Sequence, residues 1–288
     1  MVQYFFVSGA PKSGTTWVQR LLDAHPQVVC SGEGHFVERL AQPLVKALED
    51  YAKQQQLVAE RVYEGRPYYQ PLTRPEMIGF ARALIVQRMH ARAGAGVKAV
   101  GDKTPRYTQF LGGLLALFPD ARFINVIRHP YDVAVSLLHH GLRVGMADAD
   151  TPGSEAYLNL VRNSAAQWSA SQKAAAEFRA RHPRRMLHLR YEDLLERPRE
   201  LAAEMFAHLG VPANEAVVAH AVDASSFEKL SGRKPGEEAR LSFFRKGVAG
   251  DWKDRLDEQA LALIDSICGD QLPSEGYLSS KEQAQAGV

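Results

Sequence analysis

The stretch GAPKSGTTW, residues 9–17, decides how this chain is read. It follows the apolar run YFFVS, which reads as a short buried strand, and leads into TTWVQRLLDAH, where Trp17, Leu21 and Leu22 fall on one helical face. A strand, a glycine-bearing turn and a helix, in that order, present backbone N–H groups to an anion at the helix start. Gly9 and Gly14 have the G-x-x-x-x-G spacing of a nucleotide phosphate loop and permit the turn. The usual loop continues with Lys and then Ser or Thr. Here Thr15 and Thr16 follow the second glycine, and the lysine is Lys12, inside the loop. A nucleoside triphosphatase needs its lysine after the second glycine and an aspartate at another strand end to organise magnesium. The strand FINVI ends instead at Arg128. The pattern predicts a phosphorylated ligand gripped by fixed cations, without a metal ion.

Working outward, QVVCSG, GVKAVGDK, ARFINVIRHP and RRMLHLRY read as four more strands, each ending at a polar cluster. PYDVAVSLLHH, SEAYLNLVRNSAAQWSASQKAAAEFRARH and RELAAEMFAHLG read as helices between and after them. Alternation of this kind predicts an α/β fold of three layers, a central parallel sheet flanked by helices, of the P-loop type. Ligands in such sheets sit at the C-terminal strand ends. Residues 37–96 are mostly helical in pattern around the break YEGRPYYQP, and residues 143–156 and 230–250 read as loops. With no internal repeat and no clear linker, residues 1–288 read as one domain, in which 37–96 is a helical insertion shaping the acceptor site.

The bulk properties narrow the classes. The 288 residues carry a formal net charge of +2, and no Lys/Arg-rich run stands out, which argues against a nucleic-acid partner. Two cysteines, Cys30 and Cys268, do not make a disulfide framework and suit a reducing cytoplasm. No apolar run approaches a membrane span, and the apolar residues 3–8 are too short for a signal segment. The expectation is a soluble cytoplasmic protein with no metal site.

PKSGTTW, IRHPYDVAVS and RKGVAGDWK, spread over residues 11–253, together resemble the three cofactor signatures of sulfotransferases that use 3′-phosphoadenosine 5′-phosphosulfate (PAPS). The resemblance implies that Lys12, Ser13, Gly14, Thr15 and Thr16 bind the 5′-phosphosulfate, with Lys12 beside the oxygen that bridges phosphorus and sulfur. It places Arg128 and Ser136 on the 3′-phosphate, joined by Arg245, Lys246 and Gly247. It puts the adenine among Trp17, Tyr191 of RYEDL, and Ser225 and Phe227 of SSFEKL. Trp252 reads as packing for the loop that carries it, and His129 as a helix-entry residue before Pro130. The product would be adenosine 3′,5′-bisphosphate (PAP).

Sulfuryl transfer needs cations on the departing phosphate oxygen and a base for the acceptor's proton. Lys12 and Lys103 are the candidate cations. The cytosolic branch of the family carries its base histidine as K-T-H; this chain reads Lys103-Thr104-Pro105, so that histidine is missing. Carbohydrate and protein-tyrosine branches use a glutamate after the second strand, where this chain has CSGEGHF. Glu33 is therefore the first candidate base, His35 the second and Asp102 the third. The expected acceptor is a hydroxyl (or amine) of a small molecule or saccharide, shaped by residues 37–72, 143–156 and 230–244. A peptide tyrosine is the alternative. A P-loop kinase or triphosphatase, and a non-catalytic adenosine-nucleotide sensor, are the competing classes.

Overall fold

The computed structural model describes residues 2–239, 242 and 244–286. Five strands, β1 (Gln3–Gly9), β2 (Val28–Gly32), β3 (Ala99–Lys103), β4 (Arg122–Ile127) and β5 (Met186–Arg190), form one sheet in the order β2-β3-β1-β4-β5. Every pairing is parallel. These are the five runs read from the sequence. Between and after the strands lie α1 (Thr15–Asp23), α2 (Gln42–Val62), α3 (Arg74–Met89), α4 (Leu111–Leu117), α5 (Pro130–Arg143), α6 (Glu155–Arg181), α7 (Tyr191–Glu196), α8 (Pro198–Leu209), α9 (Glu215–Ala224), α10 (Phe227–Ser231) and α11 (Glu258–Cys268).

The period-two alternation of a strand sorts the central strand into two layers. Phe5 and Val7 pack with Leu21 and Leu22 of α1, Met205 and Phe206 of α8 and Val218 of α9. Phe6 points the other way, into a cluster with Ala81 and Ile85 of α3, Leu114 of α4 and Ala175 of α6. A third cluster, around Trp168 of α6, joins α5 and α11 to the end of β4 at Ile127. The predicted three-layer arrangement is thus the observed one.

Residues 37–96 form α2 and α3 with the expected break between them. Helix α3 starts on a capping box, with Thr73 and Glu76 satisfying each other's backbone donors. It buries Met77, Ala81, Ile85 and Met89, whereas α2 buries only Ala59. A π-helical turn, Phe36–Ala41, feeds α2 and was not foreseen. Among the described residues no helix is long and apolar enough to cross a membrane. Because all five strands run the same way, the segments that follow them converge on one edge of the sheet.

Candidate active site

A cavity of about 530 Å³ opens where those segments meet. Its floor is the loop after β1. Gly14 caps α1 with φ 92, and a Cβ on it would enter the Tyr191 ring, so this position accepts no side chain. Lys12 is also left-handed, at φ 75, a conformation that costs a non-glycine residue free energy. Its side chain lines the cavity. Burial, then the Arg143 charge, lower its pKa to about 8; Lys103 adds to the fall and Glu33 opposes it. Thr15, Thr16 and Trp17 also line the cavity. The amides of Thr15 and Thr16 lie in the first helical turn, where no intrahelical carbonyl is within reach. Ser13 is fully buried beneath the loop; its Oγ has no partner among the described residues, and its amide donates to the Ala10 carbonyl at 3.1 Å. It belongs to the inside of the turn.

At one end of the cavity stand Arg128, Ser136, Arg245, Lys246 and Gly247. Arg128 lies over the Tyr191 ring at 4.6 Å, donates to the Val248 carbonyl at 3.0 Å and sits 3.5 Å from Asp132. The buried Asp132 in turn accepts from the amides of Gly250 at 2.8 Å and Trp252 at 3.2 Å. One carboxylate of α5 therefore holds both the strand-end arginine and the distant RKGVAGDWK loop. Arg245 pairs with Asp251 at 2.6 Å and Glu238 at 2.9 Å, and Lys246 pairs with Asp251. Burial opposes ionisation of Asp251, but the Lys246 and Arg245 contacts outweigh it and its pKa is lowered. Gly247, at φ 66, lets the Phe227 ring lie directly on the backbone. Trp17 and Tyr191 meet edge to face at 5.7 Å, and Ser225 and Phe227 complete this side of the lining. Trp252 is buried and stacks on His129 at 5.9 Å, while His129 accepts from the Tyr131 amide at the entry to α5. Both have the packing roles the sequence suggested.

At the other end, the turn after β2 carries Glu33 and His35 into the lining. Both residues are left-handed, with φ 58 and 48, flanking Gly34. The buried Asp102 pins this turn. It accepts from the Gly34 amide at 3.2 Å, the Thr104 hydroxyl at 2.9 Å and the Tyr107 hydroxyl at 2.8 Å. Asp102 is not part of the cavity wall, so its place is to hold the turn, and burial raises its pKa. Lys103 is also behind the wall, 3% exposed, with Nζ 2.8 Å from Glu33 Oε1. Burial pushes the Glu33 carboxyl up, but the Lys103 hydrogen bond and charge, helped by His35 and Lys12, more than reverse this and lower its pKa. His35 Nδ1 lies 2.6 Å from Glu38 Oε1, and Nε2 lies 3.9 Å from Glu33 Oε2. With a carboxylate as partner, Nδ1 carries the proton donated to it, and Nε2 is turned toward Glu33.

Glu38, Arg106, His140 and Arg143 were not singled out from the sequence, and the last three line this end. His140 and Arg143 follow Ser136 at i+4 and i+7 on α5, a spacing that could have placed them on the same face. Glu38 sits three residues after His35, in the π-helical turn. Of the segments expected to shape the acceptor site, 143–156 contributes Arg143, and 230–244 contributes Leu230 and Phe244. Residues 240, 241 and 243 lie outside the described residues. No described residue from 37–96 lines the cavity; Tyr68 and Tyr69 are exposed, and α3 packs into the sheet's second layer.

A parallel sheet with a glycine loop after β1 and cations at the neighbouring strand ends defines an α/β protein of the P-loop type. A model described as "Sulfotransferase family" matches residues 5–215, and the chain belongs to that family. It is 28% identical over 302 residues to nodulation protein NoeE of Sinorhizobium fredii, covering 98% of this chain and 68% of that protein. It is 25% identical to a protein-tyrosine sulfotransferase of Drosophila melanogaster, over 75% of this chain but only 39% of the relative's length. A flavonol sulfotransferase-like protein of Flaveria bidentis is 25% identical, over 95% of this chain and 82% of that one. The fold is shared with mouse sulfotransferase SULT7A1 complexed with PAP, at a TM-score of 0.56 and 15% identity, over 95% of this chain and 86% of that one. It is also shared with retinol dehydratase in complex with androsterone and inactive cofactor PAP, at a TM-score of 0.52 and 20% identity, over 93% and 80% of the two chains.

Proposed function

We propose that this protein transfers a sulfuryl group from PAPS to the hydroxyl, or amine, of a small-molecule or saccharide acceptor, in a cytoplasmic setting that its two buried free cysteines suit. The observation that carries the reading is the cavity's charge plan. Cations stand at both ends, Lys12 inside the phosphate loop and Arg128 where a magnesium site would need an aspartate. The nucleotide fits the residues present. Arg128 Nε and Trp17 Nε1 are buried donors without a partner among the described residues. Trp17, Tyr191 and Phe227 offer ring faces and edges for a flat base; such stacking contributes about 1–3 kcal/mol per aromatic–base contact.

In this reading Arg128, Ser136, Arg245, Lys246 and Gly247 hold the 3′-phosphate. The loop amides, Thr15, Thr16 and Lys12 hold the 5′-phosphosulfate. PAPS supplies sulfur in an activated S–O–P linkage. Glu33, kept ionised by Lys103, takes the proton of the acceptor hydroxyl. The acceptor oxygen forms its bond to sulfur as the bond from sulfur to the bridging oxygen breaks. The electron pair stays on the 5′-phosphate oxygen, where Lys12, with Lys103 behind it, stabilises the new charge. The products are the sulfate ester and PAP.

A second assignment of the base has its own observation. The Glu38–His35 contact orients the ring with Nε2 toward Glu33 and the cavity. Radiolabelled PAPS offered with phenolic and saccharide acceptors, with mass detection of the ester, tests the activity. Glu33→Gln and His35→Gln then assign the base: the reading requires the larger loss of turnover in Glu33→Gln, with PAP affinity retained. A larger loss in His35→Gln would move the role. The relatives include both a protein-tyrosine enzyme and a flavonol-type enzyme. A peptide tyrosine therefore belongs in the same acceptor screen.

A further inference from the structure

The end of the cavity beyond the phosphate loop is rich in cationic side chains. Its wall contains Lys12, Arg106 and Arg143, and Glu33 is the only carboxylate among the described lining residues. That carboxylate is already engaged by Lys103 at 2.8 Å. The opposite end is built differently: Asp132, Glu238 and Asp251 stand beside its cations.

Helix geometry separates Arg143 from the nucleotide's 3′-phosphate. Ser136, His140 and Arg143 share one face of α5, and seven residues at about 1.5 Å each carry Arg143 roughly 10 Å past Ser136. Arg143 contacts His140 Nδ1 at 2.8 Å, on the side toward Lys12. The electrostatics report the same crowding. Burial and then Lys12 and Arg143 lower the pKa of His140, and burial and then Arg143 lower that of Lys12. Arg106 also lines the cavity, three residues after the buried Lys103 that holds Glu33. Pro11, Pro105, Leu137 and Phe244 add apolar surface to the cavity wall.

Resting on the sulfotransferase reading, we propose that the acceptor is itself an acid: a hydroxy compound with a carboxylate, or a group of like charge, that Arg143 and Arg106 hold while its hydroxyl faces Glu33. Arg143 and Arg106 are then specificity-determining residues. A guanidinium offers a carboxylate paired donors, and a charge-assisted bond of this kind discriminates strongly against an uncharged ester. An acid held by two arginines also keeps its own charge away from Glu33, which needs an uncharged hydroxyl in front of it.

The test compares acceptors that differ only in charge. The full chain, given radiolabelled PAPS, is offered 4-hydroxyphenylacetate against its methyl ester and methyl β-glucuronide against methyl β-glucoside. The proposal expects kcat/KM at least tenfold higher for the acid in every pair that is turned over. It expects Arg106→Gln combined with Arg143→Gln to bring that ratio toward one through a rise in KM for the acid, with PAP affinity by calorimetry unchanged. Preference for the neutral partner, or an acid preference that survives the double substitution, overturns it. Where no pair is turned over, the same compounds are titrated into the PAP-loaded protein, and failure of the acids to bind more tightly than their neutral partners overturns it equally. Failure to bind PAP at all would instead remove the sulfotransferase reading beneath it, so the two failures are distinct.

Discussion

The two ends of the cavity handle positive charge in opposite ways. Around Arg128 each cation has a carboxylate at hand, and those carboxylates also hold backbone: Asp132 binds the amides of Gly250 and Trp252 as well as the guanidinium. Around Lys12 the cations crowd one another, and the carboxylate on the wall, Glu33, is shared with Lys103. Neutralised cations on an anchored loop make a preformed grip for a ligand that must be bound and released. Crowded cations are costly without a ligand and gain most where negative charge develops during reaction. Under the proposed function, the grip on the 3′-phosphate and the chemistry would occupy different halves of one cavity and should respond separately to mutation.

The largest effects are expected where chemistry sits. Glu33→Gln and Lys12→Met should each lower turnover by roughly 10²–10⁴-fold. Glu33→Gln should leave PAP affinity, measured by calorimetry, within a few-fold of the parent. A weaker effect on kcat than on PAP binding in that variant would erase the division between the two ends. Next, Arg128→Ala should lower PAP affinity by about 10–100-fold, the usual cost of removing a charge-assisted contact of ~1.5–3 kcal/mol. Turnover at saturating PAPS should change much less.

Gly14→Ala sharpens the structural side of the same contrast. The added Cβ would enter the Tyr191 ring at φ 92, so the fold should lose about 1–3 kcal/mol in denaturant unfolding, and PAP affinity should fall with it. The pH dependence follows from the lowered pKa of Lys12, about 8. The cation is complete below that value and is lost as pH rises through it. PAP affinity should fall above about pH 8. Near that pH a bound phosphate favours the ammonium form, so binding should take up protons, seen as a binding enthalpy that varies with the ionisation enthalpy of the buffer. The smallest effect is expected for Glu38→Gln, which weakens the contact orienting His35: a several-fold loss of kcat, no change in PAP affinity, and recovery with Glu38→Asp if the carboxylate's charge is what matters.

Much of this was legible because it is local. The apolar runs that end in polar clusters became the five strands, and the G-x-x-x-x-G turn with its displaced lysine lies after β1 as expected. Arg128 and Tyr191 follow β4 and β5, so the parallel topology brings both to the cavity, whereas the RKGVAGDWK loop follows α10 and reaches it through its tie to Asp132. What escaped was tertiary. Ser13 was read from the motif, and the burial of its side chain beneath the turn has no local signature. His140 was not singled out and Arg143 was read as the start of a loop; the placement of α5 along the cavity brings both into the lining. Asp132 hides in IRHPYDVAVS as a first-turn acid, and its hold on a loop 118 residues away has no local signature. The 37–96 segment was read correctly as helical, but its apolar positions direct α3 into the sheet's second layer.

Titration of the purified chain with PAP in the presence of a metal chelator, set beside titration with magnesium-ATP, tests the central claim most directly. The account predicts tight, metal-independent binding of PAP and weak binding of magnesium-ATP. Tight, magnesium-dependent binding of ATP with no response to PAP would contradict it.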